Sequence, residues 1–139
     1  MTRDEIARLF DRRLDALKRR DVEALVRDYA EDAVVDSPVG SAQGRAGIDT
    51  LHRGWFSSFP DLTFERADLI IGDDRAAAAL TVSGTNTGGF MDLPPTGKRF
   101  SFTAVSLCTL RDGLIVYETR VYDFTRFLIE IGVLKAKPV

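Results

Sequence analysis

The segment RFSFTAVSLCTLRDGLIVYETRVYD, residues 99–123, predicts a β-hairpin. Apolar and polar residues alternate on both sides of Asp112-Gly113, and an Asp-Gly pair between two such runs is typical of a tight hairpin turn. Two further β-rich runs precede this hairpin. The second half of the chain therefore predicts a four-stranded antiparallel meander of residues 62–71, 76–87, 99–110 and 114–123.

The first half of the chain predicts three helices and a short strand. Residues 2–5 form a capping box ahead of an apolar stripe at helical spacing, and Asp21 can cap a second helix. Residues 33–39 predict a short strand that leads into a loop. A third helix ends before Pro60, because the residue before a proline disfavours helix, and a last short helix spans residues 124–131. Helices followed by an antiparallel sheet predict an α+β fold with the helices on one face.

Length and charge narrow the class of protein. The 139 residues predict one domain, residues 1–139. The chain has 19 basic and 21 acidic residues and a net charge of −2, which disfavours a nucleic-acid partner. A single Cys and a single His exclude the common zinc ligand sets.

The sequence shows neither a membrane-spanning segment nor a cofactor-binding motif. Residues 1–5 are polar, and no apolar run approaches the ~18 residues of a membrane span, so we expect a cytoplasmic protein with no membrane contact. Gly97-Lys98 lacks the other residues of a phosphate-binding loop, and no dinucleotide fingerprint occurs. We therefore expect no metal and no organic cofactor.

The last predicted strand has two chemically different faces. Strict alternation assigns Ile115, Tyr117, Thr119, Val121 and Asp123 to one face, and Val116, Glu118, Arg120 and Tyr122 to the other. The first face is predicted to be a pocket wall. The second is predicted to carry an ion pair between Glu118 and Arg120, or one across a subunit interface, and to be covered in a homodimer.

Several polar residues are candidates for a site. Asp123 can cap the last helix or present a carboxylate to the pocket, where apolar neighbours would raise its pKa toward neutrality. His52 on the third helix is either a core residue with one hydrogen bond or a ligand contact, and Trp55 on the same helix is a candidate pocket residue. Asp36 is either an ordinary strand-edge acid or a cavity residue, and Cys108 is predicted to be a buried, inert thiol.

Residues 83–100, SGTNTGGFMDLPPTGKRF, closely resemble the signature of the SnoaL-like polyketide cyclases, a branch of the nuclear transport factor 2-like superfamily. Supporting marks are Gly44-Arg45, Phe59-Pro60-Asp61-Leu62, Tyr122-Asp123, Phe127-Leu128 and Ile131-Gly132. The resemblance implies a cone-shaped α+β barrel, a deep and largely apolar pocket, and usually a homodimer.

The resemblance also implies a reaction. Characterised cyclases of the family close a polyketide ring by an intramolecular aldol condensation without a cofactor, using a pocket Asp as acid and base, a role that the resemblance gives to Asp123. The enolate oxygen would be bound by Tyr117, Asn86 or His52. This chain departs from the family at Asn86, where His is usual, and at Tyr117 and Thr119, where Glu and Trp are usual.

Two other functions remain open at the level of sequence. The first is a non-catalytic domain that binds a small apolar molecule in the same pocket. The second is epoxide hydrolysis, which needs two acids with an Arg between them, whereas alternation places Arg120 and Asp123 on opposite sides of their strand. An apolar carbonyl compound is the expected ligand of a cyclase or isomerase.

Overall fold

A computed structural model describes residues 1–135 and residue 137 of the chain. The described residues form four helices and six strands: α1 (Arg3–Arg19), α2 (Val22–Arg27), β1 (Tyr29–Ser37), β2 (Gly40–Gln43), α3 (Gly44–Ser58), β3 (Thr63–Ile71), β4 (Arg75–Thr85), β5 (Arg99–Arg111), β6 (Leu114–Val121) and α4 (Phe124–Glu130).

The predicted helix starts are confirmed by their hydrogen bonds. At the start of α1, the Thr2 hydroxyl accepts from the Glu5 amide at 3.1 Å, and the Glu5 carboxylate accepts from the Thr2 amide at 3.3 Å. The Asp21 carboxylate accepts from the Ala24 amide at 3.0 Å and caps α2. Each cap satisfies an amide that has no partner within its helix, so these starts could be predicted locally.

The strands form one sheet in the order β2-β1-β6-β5-β4-β3. The predicted antiparallel meander from β3 to β6 is confirmed, and the α+β prediction with it. The sheet is open, with β2 and β3 at its edges. Strand β1 runs parallel to β6, and that pairing joins the first half of the chain to the meander.

One strand is missing from the sequence-based prediction. Where a loop was expected after residue 39, β2 turns back and pairs antiparallel with β1. Gly40 has φ 122°, a conformation that an L residue rarely adopts, and this glycine lets the chain reverse within a few residues. The prediction failed because Gly40–Gln43 is too short to show an alternating pattern.

A β-bulge in β6 reverses the predicted orientation of its side chains. Tyr117 pairs with Thr109 and Ile115 with Leu110, so Val116 is an extra residue on β6. After one extra residue, every later side chain lies on the other face of the sheet. The assignment by strict alternation was therefore wrong: Glu118, Arg120 and Tyr122 face the helices, and Tyr117, Thr119 and Val121 face outward.

Three apolar clusters lie between the helices and the sheet, and the smallest consists of Ala16, Leu17 and Leu25. The first joins α1, β1, α3 and the sheet, and its members include Leu9, Phe10, Tyr29, Val35, Ile48 and Ile115. The second is mainly aromatic and includes Phe59, Phe90, Phe100 and Phe127, the last of which lies on α4. None of the helices in the described residues is long and apolar enough to cross a membrane.

Candidate active site

A cavity opens between α1, α3 and the inner face of the sheet. The cavity volume is about 80 Å³, within a wider space of about 700 Å³ that includes open solvent at its mouth. Its lining residues include Arg13, Leu17, His52, Trp55, Phe56, Phe64, Leu80, Val82, Phe102, Ser106, Glu118, Arg120 and Tyr122. Apolar side chains form most of the wall, and the charged side chains come from α1 and β6.

The Glu118 carboxylate is the centre of a buried polar cluster. It is fully buried and accepts hydrogen bonds from Arg13 Nη2 at 2.9 and 3.0 Å, from Ser106 Oγ at 2.7 Å, from Arg120 Nε at 2.8 Å, and from the Tyr29 hydroxyl. Burial by itself would raise the pKa of Glu118, but the charges of Arg120 and Arg13 and these hydrogen bonds hold it well below its usual range. Glu118 is therefore an ionised acceptor whose oxygens already have donors.

Arg13 reaches the cluster because it lies on the buried face of α1. Residues Leu9, Phe10, Ala16 and Leu17 of that face are buried, and Arg13 between them is only 6% exposed. Besides its contacts with Glu118, Arg13 donates from Nη1 to the Tyr29 hydroxyl at 2.6 Å. Burial opposes the Arg13 charge, but Glu118 and Tyr29 outweigh it and raise the pKa of Arg13.

His52 and Arg120 contact each other at the same cluster. The His52 ring is 3% exposed, its Nδ1 lies 2.8 Å from the Ile48 carbonyl oxygen, and its Nε2 lies 2.9 Å from Arg120 Nη2. A carbonyl can only accept and a guanidinium can only donate, so Nδ1 carries the proton and Nε2 is the acceptor. Burial, together with the charges of Arg120 and Arg13, lowers the pKa of His52 to about 3, so the ring is neutral.

The cluster as a whole carries one positive charge. Two guanidinium groups, Arg13 and Arg120, surround one carboxylate, Glu118, and the imidazole of His52 is neutral. A cationic cluster at a largely apolar cavity favours an anionic or strongly polarised oxygen on a ligand.

Two donors in the cavity have no partner within the described residues. The Tyr122 hydroxyl is buried and makes no hydrogen bond, and burial raises the pKa of Tyr122 to about 12, so it stays protonated. Arg120 forms hydrogen bonds through Nε and Nη2 but forms none through Nη1 to a described residue. A buried donor without a partner is costly, so a ligand oxygen is the natural partner for the Tyr122 hydroxyl, and the N–H groups of Arg120 Nη1 are available to a ligand as well.

Aromatic rings form the walls around these donors. The Tyr122 ring stacks on Phe102, with ring centroids 4.5 Å apart and planes 6° from parallel. Trp55 contacts Phe102 and Tyr122 edge-on at 6.4 and 6.1 Å. Such walls suit a flat apolar ligand that carries few polar groups.

Among the predicted site residues, His52 and Trp55 line the cavity and five others do not. Asp123 is exposed, and its carboxylate accepts from the Arg126 amide at 2.9 Å, so it caps α4. The prediction that Asp123 faces the pocket was wrong, because the bulge at Val116 reverses the faces of β6 and the strand ends before Asp123.

The other four residues lie outside the cavity. Tyr117 and Thr119 are on the outer face of β6, and the Tyr117 hydroxyl donates to Asp36 on β1. Asn86 is fully buried but holds a loop, since it accepts from the Gly89 amide at 3.1 Å and donates to Thr96 at 3.2 Å. The cavity is therefore lined without these four residues.

Sequence reasoning missed most of the polar cluster. The missed residues are Arg13, Tyr29, Ser106 and Tyr122, while Glu118 and Arg120 were predicted only as an ion pair, which their 2.8 Å contact confirms. One signal was available: Arg13 interrupts the apolar stripe of α1 at a position three and four residues from buried neighbours. A buried Arg needs a partner, and that requirement points to a buried acid elsewhere in the chain.

An open curved sheet covered by helices, with a cavity between them, is the nuclear transport factor 2-like class of α+β fold. Within that class, the family model described as SnoaL-like polyketide cyclase matches residues 7–130, and the chain belongs to that family. The resemblance noted at residues 83–100 is thereby confirmed. No curated protein matches the chain significantly.

Three solved structures of similar proteins come from Streptomyces. AclR of Streptomyces galilaeus, a candidate hydroxylase, is 28% identical with a TM-score of 0.84, over 99% of this chain and 91% of AclR. TsrD of Streptomyces laurentii is 25% identical with a TM-score of 0.85, over 96% of this chain and 99% of TsrD. IdmH of Streptomyces antibioticus, a candidate polyketide cyclase, is 29% identical with a TM-score of 0.76, over 91% of this chain and 98% of IdmH.

Proposed function

We propose that the cavity binds an apolar, polyketide-like carbonyl compound and promotes its cyclisation or isomerisation through an enolate, without a cofactor. The observation that carries this proposal is the pairing of a cationic cluster with an unpartnered Tyr122 hydroxyl in an aromatic cavity. Membership of the SnoaL-like family and the likeness to IdmH support the class of substrate.

In this proposal the enolate oxygen lies against Arg120 and Tyr122. A hydrogen bond to a charged group contributes about 1.5–3 kcal/mol, and it is worth more to an enolate than to a neutral carbonyl. The site therefore stabilises the charge that develops when a carbon next to a carbonyl loses its proton. In an aldol step, the enolate carbon then bonds to a second carbonyl carbon of the same molecule, and the resulting alkoxide takes up a proton. The atoms balance without an oxidant or a reductant.

The proposal assigns no protein group as the general base. Glu118 is ionised, but its oxygens accept from Arg13, Ser106, Tyr29 and Arg120, and the Nε2 lone pair of His52 accepts from Arg120. A carbon between two carbonyl groups is acidic enough to lose its proton to water or hydroxide once a cation stabilises the enolate. The pH dependence of binding near neutrality should therefore follow the ionisation of the ligand.

A titration with benzoylacetone tests the proposal. This aromatic 1,3-diketone is an apolar ligand whose enolate absorbs at a longer wavelength than its neutral forms. Binding to wild-type protein should lower the apparent pKa of the probe, and the ultraviolet spectrum would record the shift. In Arg120→Gln the affinity for the enolate should fall roughly tenfold to a hundredfold.

Matched variants make the test specific. Arg111→Gln removes an exposed Arg at the far end of β5 and should bind the enolate like wild type. Tyr122→Phe removes the unpartnered hydroxyl while keeping the ring that stacks on Phe102. The proposal is contradicted if wild type does not change the acidity of the probe, or if Arg120→Gln and Arg111→Gln behave alike.

A non-catalytic binding domain is the second candidate function. One observation favours it. Glu118 and His52 are the cavity side chains whose pKa is lowered, and both accept hydrogen bonds from Arg120, so neither is a ready general base. Turnover of a linear 1,3,5-triketone to a cyclic product, followed by mass spectrometry and absorbance, would separate the two functions. Epoxide hydrolysis gains no support, because Glu118 is the single carboxylate among the described residues that line the cavity.

A further inference from the structure

We infer that His52 is a positioning residue: its unprotonated Nε2 holds the Arg120 guanidinium so that Nη1 is left for the oxygen of the ligand. This inference rests on the proposed function, which needs Arg120 as the oxyanion donor. It goes further by assigning a role to the chain's single His and by excluding that residue as acid or base.

A hydrogen bond within α3 orients the His52 ring. The Ile48 carbonyl, one turn earlier on α3, accepts from Nδ1 at 2.8 Å. This bond sets the tautomer and leaves the Nε2 lone pair directed at Arg120 Nη2, 2.9 Å away. Ile48 is fully buried and belongs to the first apolar cluster, so the anchoring carbonyl is on a closely packed part of the helix.

The guanidinium is held on two of its three nitrogens. Nε donates to Glu118 at 2.8 Å, and Nη2 donates to His52 at 2.9 Å, with longer contacts of 3.4 Å to Tyr29 and Glu118. A planar guanidinium held at two nitrogens has the direction of its third nitrogen fixed as well. Removing the acceptor on His52 would free Nη2 and allow the plane to rotate about Nε.

The groups that face the ring keep it in the accepting form. Arg13 from α1 and Arg120 from β6 are cations, and Glu118 is the one anion of the cluster. The neutral Tyr29 from β1 lies with its ring centroid 6.3 Å from that of His52. The two cations and the loss of water around the ring disfavour imidazolium more than Glu118 favours it.

Two substitutions separate a positioning role from a packing role. His52→Gln keeps an acceptor at about the place of Nε2, and His52→Phe keeps the ring volume without an acceptor. With benzoylacetone as the probe, we expect His52→Phe to lose about three- to tenfold in affinity for the enolate and much of the shift in its acidity. His52→Gln should recover both. The inference is overturned if His52→Phe binds like wild type, or if Phe rescues the site better than Gln does.

A measurement on the wild-type protein keeps the inference testable if His52→Phe does not fold. Because the chain has one His, nitrogen-15 NMR of the imidazole has one set of signals. We expect a protonated Nδ1 and an unprotonated, hydrogen-bonded Nε2 that stay unchanged from about pH 8 to about pH 5. Protonation of Nε2 in that range would overturn the inference.

If the probe fails to bind wild type, the proposed function fails, whereas binding that depends on Arg120 but not on His52 contradicts this inference alone.

Discussion

Arg120 donates from Nη2 to Nε2 of His52 over 2.9 Å, and this contact requires Nε2 of the imidazole to be unprotonated. A proton on Nε2 would bring two positive charges together in a buried site. The contact therefore links the charge of His52 to the stability of the fold and to the geometry of Arg120.

Stability should fall when the protein is acidified below about pH 6.5, and His52 should account for the first part of that loss. Burial and two cations lower the folded-state pKa of His52 to about 3, from a usual 6.5. As the pH falls, the His52 ring is therefore protonated in the unfolded chain before it is protonated in the folded protein. Each pH unit between the two pKa values lowers the free energy of unfolding by about 1.4 kcal/mol, or roughly 3–6 kcal/mol over the whole range.

Urea unfolding at about pH 7 and about pH 5.5 measures this loss. His52→Gln should show almost no change between the two values, since Asp and Glu titrate at lower pH. A wild-type stability that is the same at both values would contradict the prediction.

Arg13→Met should be strongly destabilising. The substitution keeps an unbranched side chain on the buried face of α1 but leaves the Glu118 carboxylate with one of its cations missing. Breaking one side of a buried ion pair costs about 3–5 kcal/mol. The free energy of unfolding in urea should drop by that amount, whereas Arg53→Met, which removes an exposed ion pair with Asp49, should stay near wild type. Equal effects of the two substitutions would show that the cluster is not a buried charge network.

Asp123 should matter for stability and not for the ligand. Asp123→Ala removes the N-cap of α4 and should cost about 0.5–2 kcal/mol, whereas Asp123→Asn keeps a capping oxygen and should be nearly neutral. Both variants should bind benzoylacetone like wild type, because Asp123 is not part of the cavity lining. Loss of binding in Asp123→Asn with unchanged stability would restore Asp123 as a site residue.

We propose that the protein is a homodimer that associates through the outer face of β5 and β6. Because of the bulge, that face carries Val105, Leu107, Tyr117 and Val121, of which Val121 is 58% exposed, and not Arg120 and Tyr122 as the sequence suggested. Apolar residues grouped on an open sheet face are usually covered by a partner.

Light scattering should give about twice the 15.4 kDa chain mass. The double variant Leu107→Glu, Val121→Glu should be monomeric, and Ile70→Glu, which changes an exposed residue on edge strand β3, should not. A wild-type monomer at micromolar concentration would contradict the proposal.

The local elements of this protein are determined by short stretches of its sequence. The caps at Thr2 and Asp21, the stop before Pro60 and the hairpin turn at Asp112-Gly113 each depend on neighbouring residues, so helices and meander could be predicted with bounds close to those observed. The signature at residues 83–100 gave the family for the same reason, because a contiguous segment carries it.

Tertiary structure alone decided the site. The bulge at Val116 arises where β6 must pair with β5 on one side and with β1 on the other, and no feature of residues 114–121 reveals it. One extra residue moved Glu118, Arg120 and Tyr122 into the cavity and left Asp123 outside. The partners of Glu118 come from α1, β1 and β5 and lie up to 105 positions away, so their convergence is a property of the packed helices and sheet.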